Sequence, residues 1–304
     1  MIRRLLFCKQ YDKNSNEFPL LPPNQFVTPD RLTSFNVNNI IDARWQYQTR
    51  MAMHEHKYKK RKYVDGALYT NIFYDQAEII DINPGDSVDI IVRLFNGHTT
   101  TVSAFVEDNL NCRHLKNCFQ IARKLSACSP NTYRKTTLDG GNMHIVGVGP
   151  KGDGTTGMYK LTKLDGVHDL LKELTISAEI YYRSHNLSHL IDQMRQHKSQ
   201  SNVHSMTGSF VSSITTSHNF INAAHLDVDD KHPCIVTWIR VEDTDLEFWY
   251  FILPNVTSDG KRAIVFKIKH GLTISFDARY VMHCSTYKSK FGKTNVYGTF
   301  FGNK

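Results

Sequence analysis

Three residues in the last third of the chain, His225, Asp227 and His283, have side chains that together can bind a metal ion. Two imidazoles and one carboxylate occupy one face of a ferrous ion and leave the opposite face open for a cosubstrate and dioxygen. His225 and Asp227 are two positions apart, so on an extended strand both side chains point to the same side. Only strands and turns are predicted between Asp227 and His283, and His283 follows the apolar run Tyr280–Met282. We therefore predict an Fe(II) site formed by these three residues.

The last hundred residues, which must position this site, predict short strands joined by tight turns. Apolar and polar side chains alternate over 264–269 and 272–276, as expected for strands with one core-facing side. Turns at Ser258–Lys261 and His270-Gly271 are suited to hairpins. About eight short strands close to the C-terminus favour a jelly roll, also called a double-stranded β-helix, with a cupin-like core. The predicted strands are 210–215, the extended stretch with His225 and Asp227, 235–241, 248–253, 262–268, 272–276, 280–282 and 295–301.

The remainder of the chain predicts a support for that core. Residues 1–105 combine irregular segments with strands, including a turn at Asn83–Asp86 and a hairpin at Asn96-Gly97. Helical spacing of apolar residues predicts a helix over 109–127 and two helical stretches within 167–197, the second at roughly 187–197, which would buttress one outer sheet. The glycine-rich stretch 139–157 predicts a surface loop. We thus expect one oxygenase domain over 1–304, mainly β with flanking helices (α+β), with its catalytic core at 205–304.

Composition is that of a globular protein. The chain has 304 residues, of which 40% are hydrophobic and 22% charged. It has no apolar run of the roughly 18 residues that a membrane span requires, and its N-terminus lacks the apolar length of a signal peptide. The six cysteines show no paired spacing, so reduced thiols are expected. An intracellular protein without a membrane partner is the prediction, and the sequence carries no signal for an oligomeric state.

The positive charge permits an acidic partner. The formal net charge is +8 and the isoelectric point is near 9.1. The densest basic run, 53–63, contains five Lys or Arg residues interleaved with Tyr58 and Tyr63. This run has three interpretations: a solvated loop, a phosphate-contacting patch, or a nuclear-import signal that would place the protein in the nucleus.

The stretches 222–233, 251–255, 271–286 and 293–298 resemble the catalytic core of the Fe(II)/2-oxoglutarate-dependent dioxygenases. The ending Asn295–Phe300 is similar to the branch related to the TET and J-binding-protein nucleic-acid oxygenases. This resemblance implies that 2-oxoglutarate and dioxygen are cosubstrates at the iron. It also implies that Lys293 pairs with the distal carboxylate of 2-oxoglutarate, and that a hydroxyl of Tyr297 or Thr299 shares this carboxylate.

The resemblance suggests further site residues near the triad. Asp230 follows the ligand Asp227 by three positions, where related nucleic-acid oxygenases place an acid that contacts the substrate. Its alternatives are a solvated acidic loop and a support for the ligands. Asn219 and Asn222 are candidates for contacting the cosubstrate or orienting His225.

Three functions remain open from the sequence. The first is oxidation of a 5-methylpyrimidine base in DNA or RNA, which requires a basic surface and extrusion of the base. The second is hydroxylation of a protein side chain or a small molecule, for which Lys293 is similar to the corresponding residue of collagen prolyl hydroxylases. The third is a jelly-roll binding module without turnover.

Overall fold

The computed structural model describes residues 3–10, 40–46, 67–73, 76–94, 97–128, 141–150, 155–200, 209–222, 224–227, 230–231, 233–241, 249–257, 261, 263–287 and 295–303. The described strands are β1 (Arg3–Gln10), β2 (Ile40–Gln46), β3 (Ala67–Phe73), β4 (Ala77–Ile80), β5 (Ser87–Arg93), β6 (Thr99–Val106), β7 (Asn142–Pro150), β8 (Thr156–Met158), β9 (Ser213–His218), β10 (Cys234–Val241), β11 (Trp249–Leu253), β12 (Val256–Thr257), β13 (Ala263–Lys267), β14 (Leu272–Phe276), β15 (Cys284–Tyr287) and β16 (Asn295–Gly302). The helices are α1 (Arg113–Ser126), α2 (Val167–Ser184) and α3 (Ser188–Gln200), with a 3₁₀ turn at Lys160–Lys163. The fold is therefore mainly β with flanking helices, as predicted.

Two mixed sheets contain most of these strands. The larger sheet has ten strands in the order β12-β1-β5-β6-β14-β10-β16-β9-β7-β8, and the smaller has the order β15-β11-β13-β4. β2 and β3 form a separate antiparallel pair. N-terminal strands extend both sheets, because β6 pairs with β14 and β4 pairs in parallel with β13. The C-terminal strands and the N-terminal region thus share the same two sheets.

Strands β10 and β16, near the middle of the larger sheet, are buried on both faces. On one face Val236, Trp238 and Val296 join a hydrophobic core that includes Phe251 and Phe266 of the smaller sheet. We call this cluster the inter-sheet core. Because side chains alternate along a strand, the neighbouring residues of β10 and β16 point to the other side of the sheet.

That other side of the larger sheet is covered by helices. Ile235, Ile239 and Phe301 belong to a second cluster, the helix-side core, with buried side chains of α1, α2 and α3. In α1 the buried positions recur every three or four residues and include Leu115, Cys118, Ala122 and Leu125. The helix predicted at 109–127 and the two helical stretches predicted within 167–197 are therefore present, and they pack on one sheet face.

Two turns near the N-terminal strands follow their sequence signals. Gly85 has a φ of +81°, and the Asp86 N–H donates to the Asn83 carbonyl over 3.0 Å, as expected for a turn with Pro84 at its second position. Gly97, with a φ of +84°, donates its N–H to the Leu94 carbonyl between the antiparallel strands β5 and β6. Both glycines adopt a backbone conformation that a side chain would strain.

The glycine-rich stretch 139–157 was predicted as a surface loop, and this prediction is wrong for its central part. Residues 142–150 form β7, which pairs with β9 and β8. A Cβ at Gly147 would lie 2.4 Å from the Ser212 carbonyl oxygen, so a residue with a side chain would push the two backbones apart. Glycine marks a close approach of strands here rather than a loop.

The strand predicted at 280–282 is also absent. Residues 278–280 form a turn in which the N–H groups of Tyr280 and Val281 both donate to the Asp277 carbonyl. The Asp277 carboxylate accepts hydrogen bonds from the Arg279 backbone N–H and guanidinium, which stabilises the turn. The strand β15 begins after this turn, at Cys284.

Several predicted features lie outside the described residues. These are the basic run 53–63, Lys293, and part of the glycine-rich stretch. Within the described part of the chain, no helix has the length and apolar character needed to cross a membrane.

Candidate metal centre

Backbone pairing brings the segments that carry His225 and His283 together. The His225 N–H donates to the His283 carbonyl over 3.0 Å, and the His283 N–H donates to the His225 carbonyl over 3.1 Å. Two residues after His225, the Asp227 N–H donates to the Ala278 carbonyl over 2.9 Å. Residues far apart in sequence are thereby fixed side by side at one end of the smaller sheet.

The three side chains of the predicted triad converge. The His225 Nε2 lies 3.6 Å from one carboxylate oxygen of Asp227, and the His283 Nε2 lies 3.7 Å from the other. One ligand atom from each residue can be chosen so that all three lie within 4.8 Å of one another. The two imidazole rings are 4.5 Å apart, measured between centroids.

The donor chemistry of this cluster fits Fe(II). The His283 Nδ1 lies 3.1 Å from the Val281 carbonyl oxygen, which can only accept a hydrogen bond. The proton of a neutral His283 is therefore on Nδ1, and Nε2 has a lone pair directed towards the cluster. Two imidazole nitrogens and one carboxylate form the ligand set of non-haem Fe(II) oxygenases, which leaves open coordination positions.

The walls around the triad are aromatic on one side. The ring of Phe276 lies 4.8 Å from the His283 ring in an edge-on arrangement, and the ring of Phe251 lies 5.8 Å from it. His283 is buried, whereas the side chains of His225 and Asp227 are 14% and 28% exposed. The site is thus closed towards the inter-sheet core and open on the side of His225 and Asp227.

Asn222 holds the two ligand-bearing segments in register. Its side-chain oxygen accepts hydrogen bonds from the Ser285 N–H (2.7 Å) and hydroxyl (3.1 Å), and its own N–H donates to the Ser285 carbonyl over 3.3 Å. Ser285 is two residues after His283, and Asn222 is three residues before His225. Of the two roles predicted for Asn222, these contacts support that of orienting His225.

Asn219 and Asp230 are both fixed by hydrogen bonds to neighbouring backbone groups. Asn219 has a left-handed φ of +48°, and its side-chain oxygen accepts a hydrogen bond from the Val296 N–H over 2.8 Å, at the end of the β9–β16 pair. The Asp230 N–H donates to the Asp227 carbonyl over 3.0 Å, and the Asp230 residue is only 6% exposed. Asp230 also interacts electrostatically with Arg279, whose pKa is raised chiefly by its hydrogen bonds to Asp277. The solvated acidic loop considered for Asp230 is therefore excluded.

Tyr297 and Thr299, predicted to share the cosubstrate carboxylate, point away from the triad. Tyr297 stacks on His218 with ring centroids 4.4 Å apart and contacts Phe119 of α1. Thr299 lies beside Cys118 of the same helix and is 1% exposed. Both residues are on the helix side of β16, so the structure does not bring them to the predicted site.

The residues of β16 and its neighbours that do face the inter-sheet core were missed from the sequence. Gly298 of β16 is paired with Ser217 of β9 on one side and with Trp238 of β10 on the other. A glycine in the middle of a strand marks a place where another group approaches the backbone closely. Gly298 was therefore the sequence signal for the close packing of Ser217 and Trp238 on this strand.

Sequence comparisons find no relatives. No protein-family profile matches the chain, and no curated protein is significantly similar to it. Comparison of folds, in contrast, finds NgTET1 in complex with 5mC DNA, with a TM-score of 0.50 and 10% identity over 75% of this chain and 82% of that chain. It also finds an oxidoreductase of the 2OG-Fe(II) oxygenase family from Burkholderia pseudomallei, with a TM-score of 0.37 and 11% identity over 66% and 83% of the two chains. The resemblance predicted from the sequence is confirmed at the level of the fold.

Proposed function

We propose that the protein is an Fe(II)- and 2-oxoglutarate-dependent oxygenase that hydroxylates a C–H bond. The observation that carries this proposal is the convergence of His225, Asp227 and His283 in a fold shared with NgTET1. We further propose that β9–β16, with the segment around His225, constitute a double-stranded β-helix. The alternation of these strands between two facing sheets supports this assignment.

The protein residues would bind and orient the reactants. His225, Asp227 and His283 would hold Fe(II), and the hydrogen bond from His283 Nδ1 to the Val281 carbonyl would fix the ring orientation. When bound, Fe(II) with 2-oxoglutarate and dioxygen would supply the hydroxylation of the substrate, and succinate and carbon dioxide would be the other products. Phe251 and Phe276 would exclude water from the buried side of the site. Lys293 is proposed to pair with the distal carboxylate of 2-oxoglutarate as a compact point charge.

We propose a 5-methylpyrimidine base in nucleic acid as the substrate. Two observations support this choice: the fold match to a protein described in complex with 5mC DNA, and the net charge of +8. A base inside a duplex must be extruded before an enzyme can oxidise it, and the partly exposed His225 and Asp227 are the side from which it would enter.

Hydroxylation of a protein side chain or a small molecule is the second candidate. It is favoured by Lys293, which is similar to the corresponding residue of collagen prolyl hydroxylases. This candidate uses the same triad and the same cosubstrates, so only the substrate distinguishes the two functions.

One experiment tests the activity and distinguishes these substrates. Purified protein is incubated with Fe(II), 2-oxoglutarate and methylated DNA or RNA; succinate is then measured and the digested nucleosides are analysed by mass spectrometry. We expect succinate together with an oxidised 5-methylpyrimidine nucleoside, and neither with Asp227→Ala. Succinate without any altered nucleoside would favour the second candidate. Absence of a charge-transfer absorbance after anaerobic addition of Fe(II) and 2-oxoglutarate would refute the cofactor assignment.

A further inference from the structure

The turn 277–281 contacts two of the three residues of the triad. The Ala278 carbonyl accepts a hydrogen bond from the Asp227 N–H over 2.9 Å, and the Val281 carbonyl oxygen lies 3.1 Å from the Nδ1 of His283. The first contact fixes the backbone that carries the carboxylate, and the second fixes the orientation of the imidazole ring. A displacement of this turn would therefore move two candidate ligands at once.

Arg279 joins this turn to the segment that follows Asp227. Its Nε and one Nη donate to the two carboxylate oxygens of Asp277 over 2.9 and 2.6 Å, and its other Nη donates to the Lys231 carbonyl over 2.8 Å. A planar guanidinium is suited to such a bridge because its donors have a fixed geometry. Together with the bond from Asp227 to Ala278, this bridge connects the two segments at two points.

The residues that Arg279 contacts are themselves tied to Asp227. The Asp230 N–H donates to the Asp227 carbonyl over 3.0 Å, and the buried Asp230 interacts electrostatically with Arg279. Lys231, whose carbonyl Arg279 binds, is only four positions after Asp227. A shift of the guanidinium would therefore be transmitted to the backbone of the candidate carboxylate ligand.

A second side chain reaches the turn from the N-terminal strand β1. The Gln10 side-chain amide donates to the Tyr280 carbonyl over 2.7 Å, across 270 positions in the sequence. Gln10 is buried, so water cannot easily replace this hydrogen bond. Because β1 pairs with β5, the bond anchors the turn to the larger sheet.

The contacts of Arg279 indicate a role in holding the turn rather than in binding an anion. All three side-chain nitrogens already donate to protein acceptors, and the guanidinium packs over the Tyr280 ring, 5.0 Å from its centroid. An external phosphate or carboxylate would have to compete with the nearly buried Asp277 carboxylate for the same donors.

We propose that Arg279 and Gln10 are positioning residues of the metal centre, which set the turn 277–281 and thereby the relative position of Asp227 and His283. This proposal rests on the proposed function, because it takes the triad as an Fe(II) site. Hydrogen bonds that orient metal ligands typically change metal affinity about 10- to 100-fold when they are removed. The N-terminal strand, which carries no residue of the triad, thus contributes to metal binding.

The test is a titration of the full-length metal-free protein with Co(II), whose visible absorbance reports the number and geometry of its ligands. Arg279→Gln should weaken Co(II) binding about 10- to 100-fold and change the spectrum at saturation. Loss of positive charge alone would have the opposite sign, because a nearby cation repels the metal ion. Lys231→Gln is the matched control, since it removes an exposed positive charge but keeps the carbonyl that Arg279 binds, and it should not weaken binding.

Two further variants separate position from charge. Arg279→Lys keeps the charge, but a single ammonium group cannot reproduce the bridge between Asp277 and the Lys231 carbonyl, so Co(II) binding should again be weaker. Gln10→Met keeps the length of the side chain, removes the donor and should weaken Co(II) binding about tenfold. Lys9→Met, at the exposed neighbouring position of β1, is its control. If Arg279→Gln does not fold, Arg279→Lys and Gln10→Met provide the test.

The outcomes separate this proposal from the proposed function. Weaker binding with an altered spectrum in the variants of Arg279 and Gln10, but not in those of Lys231 and Lys9, supports positioning. Wild-type affinity and spectrum in a variant overturn the proposal for that residue, even if its stability in urea is reduced, because its role is then structural only. Tighter binding by Arg279→Gln, or equal weakening by Lys231→Gln, also overturns it. A wild-type protein that binds no Co(II) overturns the proposed function itself.

Discussion

The buried His114 on helix α1 predicts a loss of stability in mild acid. Its Nε2 lies 3.1 Å from the Tyr182 hydroxyl and 3.5 Å from the Cys118 sulfur, and the ring of Tyr181 packs at 4.5 Å. Burial, with a further contribution from the charge of His185, lowers the pKa of His114 from 6.5 to about 3. His114 is therefore neutral in the folded protein at pH values where the unfolded chain binds a proton.

The sign and size of the effect follow from this difference in pKa. Above pH 6.5 both states are deprotonated at this residue, and His114 adds no pH dependence. As the pH falls below 6.5, the unfolded state gains the proton first, so stability is lost progressively until the pH reaches about 3. At about pH 5 the loss is roughly 2 kcal/mol, since each pKa unit corresponds to about 1.4 kcal/mol. This is a large part of a typical stability of about 5–15 kcal/mol.

The assay is urea unfolding of the wild type and His114→Gln at about pH 7.5 and pH 5. Glutamine does not titrate and can still hydrogen-bond to the Tyr182 hydroxyl, so the variant should lose less stability between the two pH values. The difference of roughly 2 kcal/mol between the two proteins is the predicted quantity. His168→Gln, which removes an exposed histidine of helix α2, is the matched control. Equal pH dependence in the wild type and His114→Gln would refute the reasoning.

Three further predictions concern the site and the sheets. Thr299→Val should leave the affinity for 2-oxoglutarate unchanged, because Thr299 faces helix α1; a weakened affinity in an anaerobic titration would contradict this placement. Lys293→Gln should weaken 2-oxoglutarate binding about 10- to 100-fold in the same titration, and an unchanged affinity would exclude Lys293 as the partner of the distal carboxylate. Gly271→Ala should destabilise the fold by about 3 kcal/mol or more in urea, because Gly271 has a φ of +74° and its Cβ would lie 1.7 Å from the Glu107 carbonyl oxygen. Gly85→Ala, with a φ of +81° and no atom within 4 Å of its Cβ, should cost only about 1 kcal/mol and is the control.

The convergence of His225, Asp227 and His283 could be predicted from the sequence because the chemistry of a metal site restricts the residue types. Two histidines and a carboxylate are the ligand set typical of a ferrous ion with open coordination positions, and the two-residue spacing of His225 and Asp227 already places them on one side of an extended segment. The strand next to His283 was predicted too early in the sequence, at 280–282, whereas β15 begins after His283, at Cys284. The signal for the actual turn was Asp277, whose side chain accepts from the Arg279 N–H.

The side-chain directions in β16 could not be predicted from its sequence. Alternation of polar and apolar residues identifies the core side of a strand only when the other side is in water. β16 is buried by the smaller sheet on one side and by helices on the other, so Tyr297, Thr299 and Phe301 are as buried as Val296. Without that contrast, the hydroxyls of Tyr297 and Thr299 were conspicuous candidates in the sequence, although they point to the helices.

Few backbone contacts hold the segments of His225 and His283 together. The side-chain hydrogen bonds of Asn222 therefore contribute substantially to the relative position of these two segments. The segment that carries His225 joins His283 through an isolated bridge and not through an extended strand pair. Such a bridge does not by itself prevent the two segments from sliding relative to each other, and a shift by one residue would turn a ligand side chain to the opposite face. The Asn222 side chain accepts hydrogen bonds from both the backbone and the hydroxyl of Ser285, so it opposes this shift from the other side of His225. The register of the three converging side chains is therefore set in part by an amide and a hydroxyl that lie outside the His225–Asp227–His283 cluster.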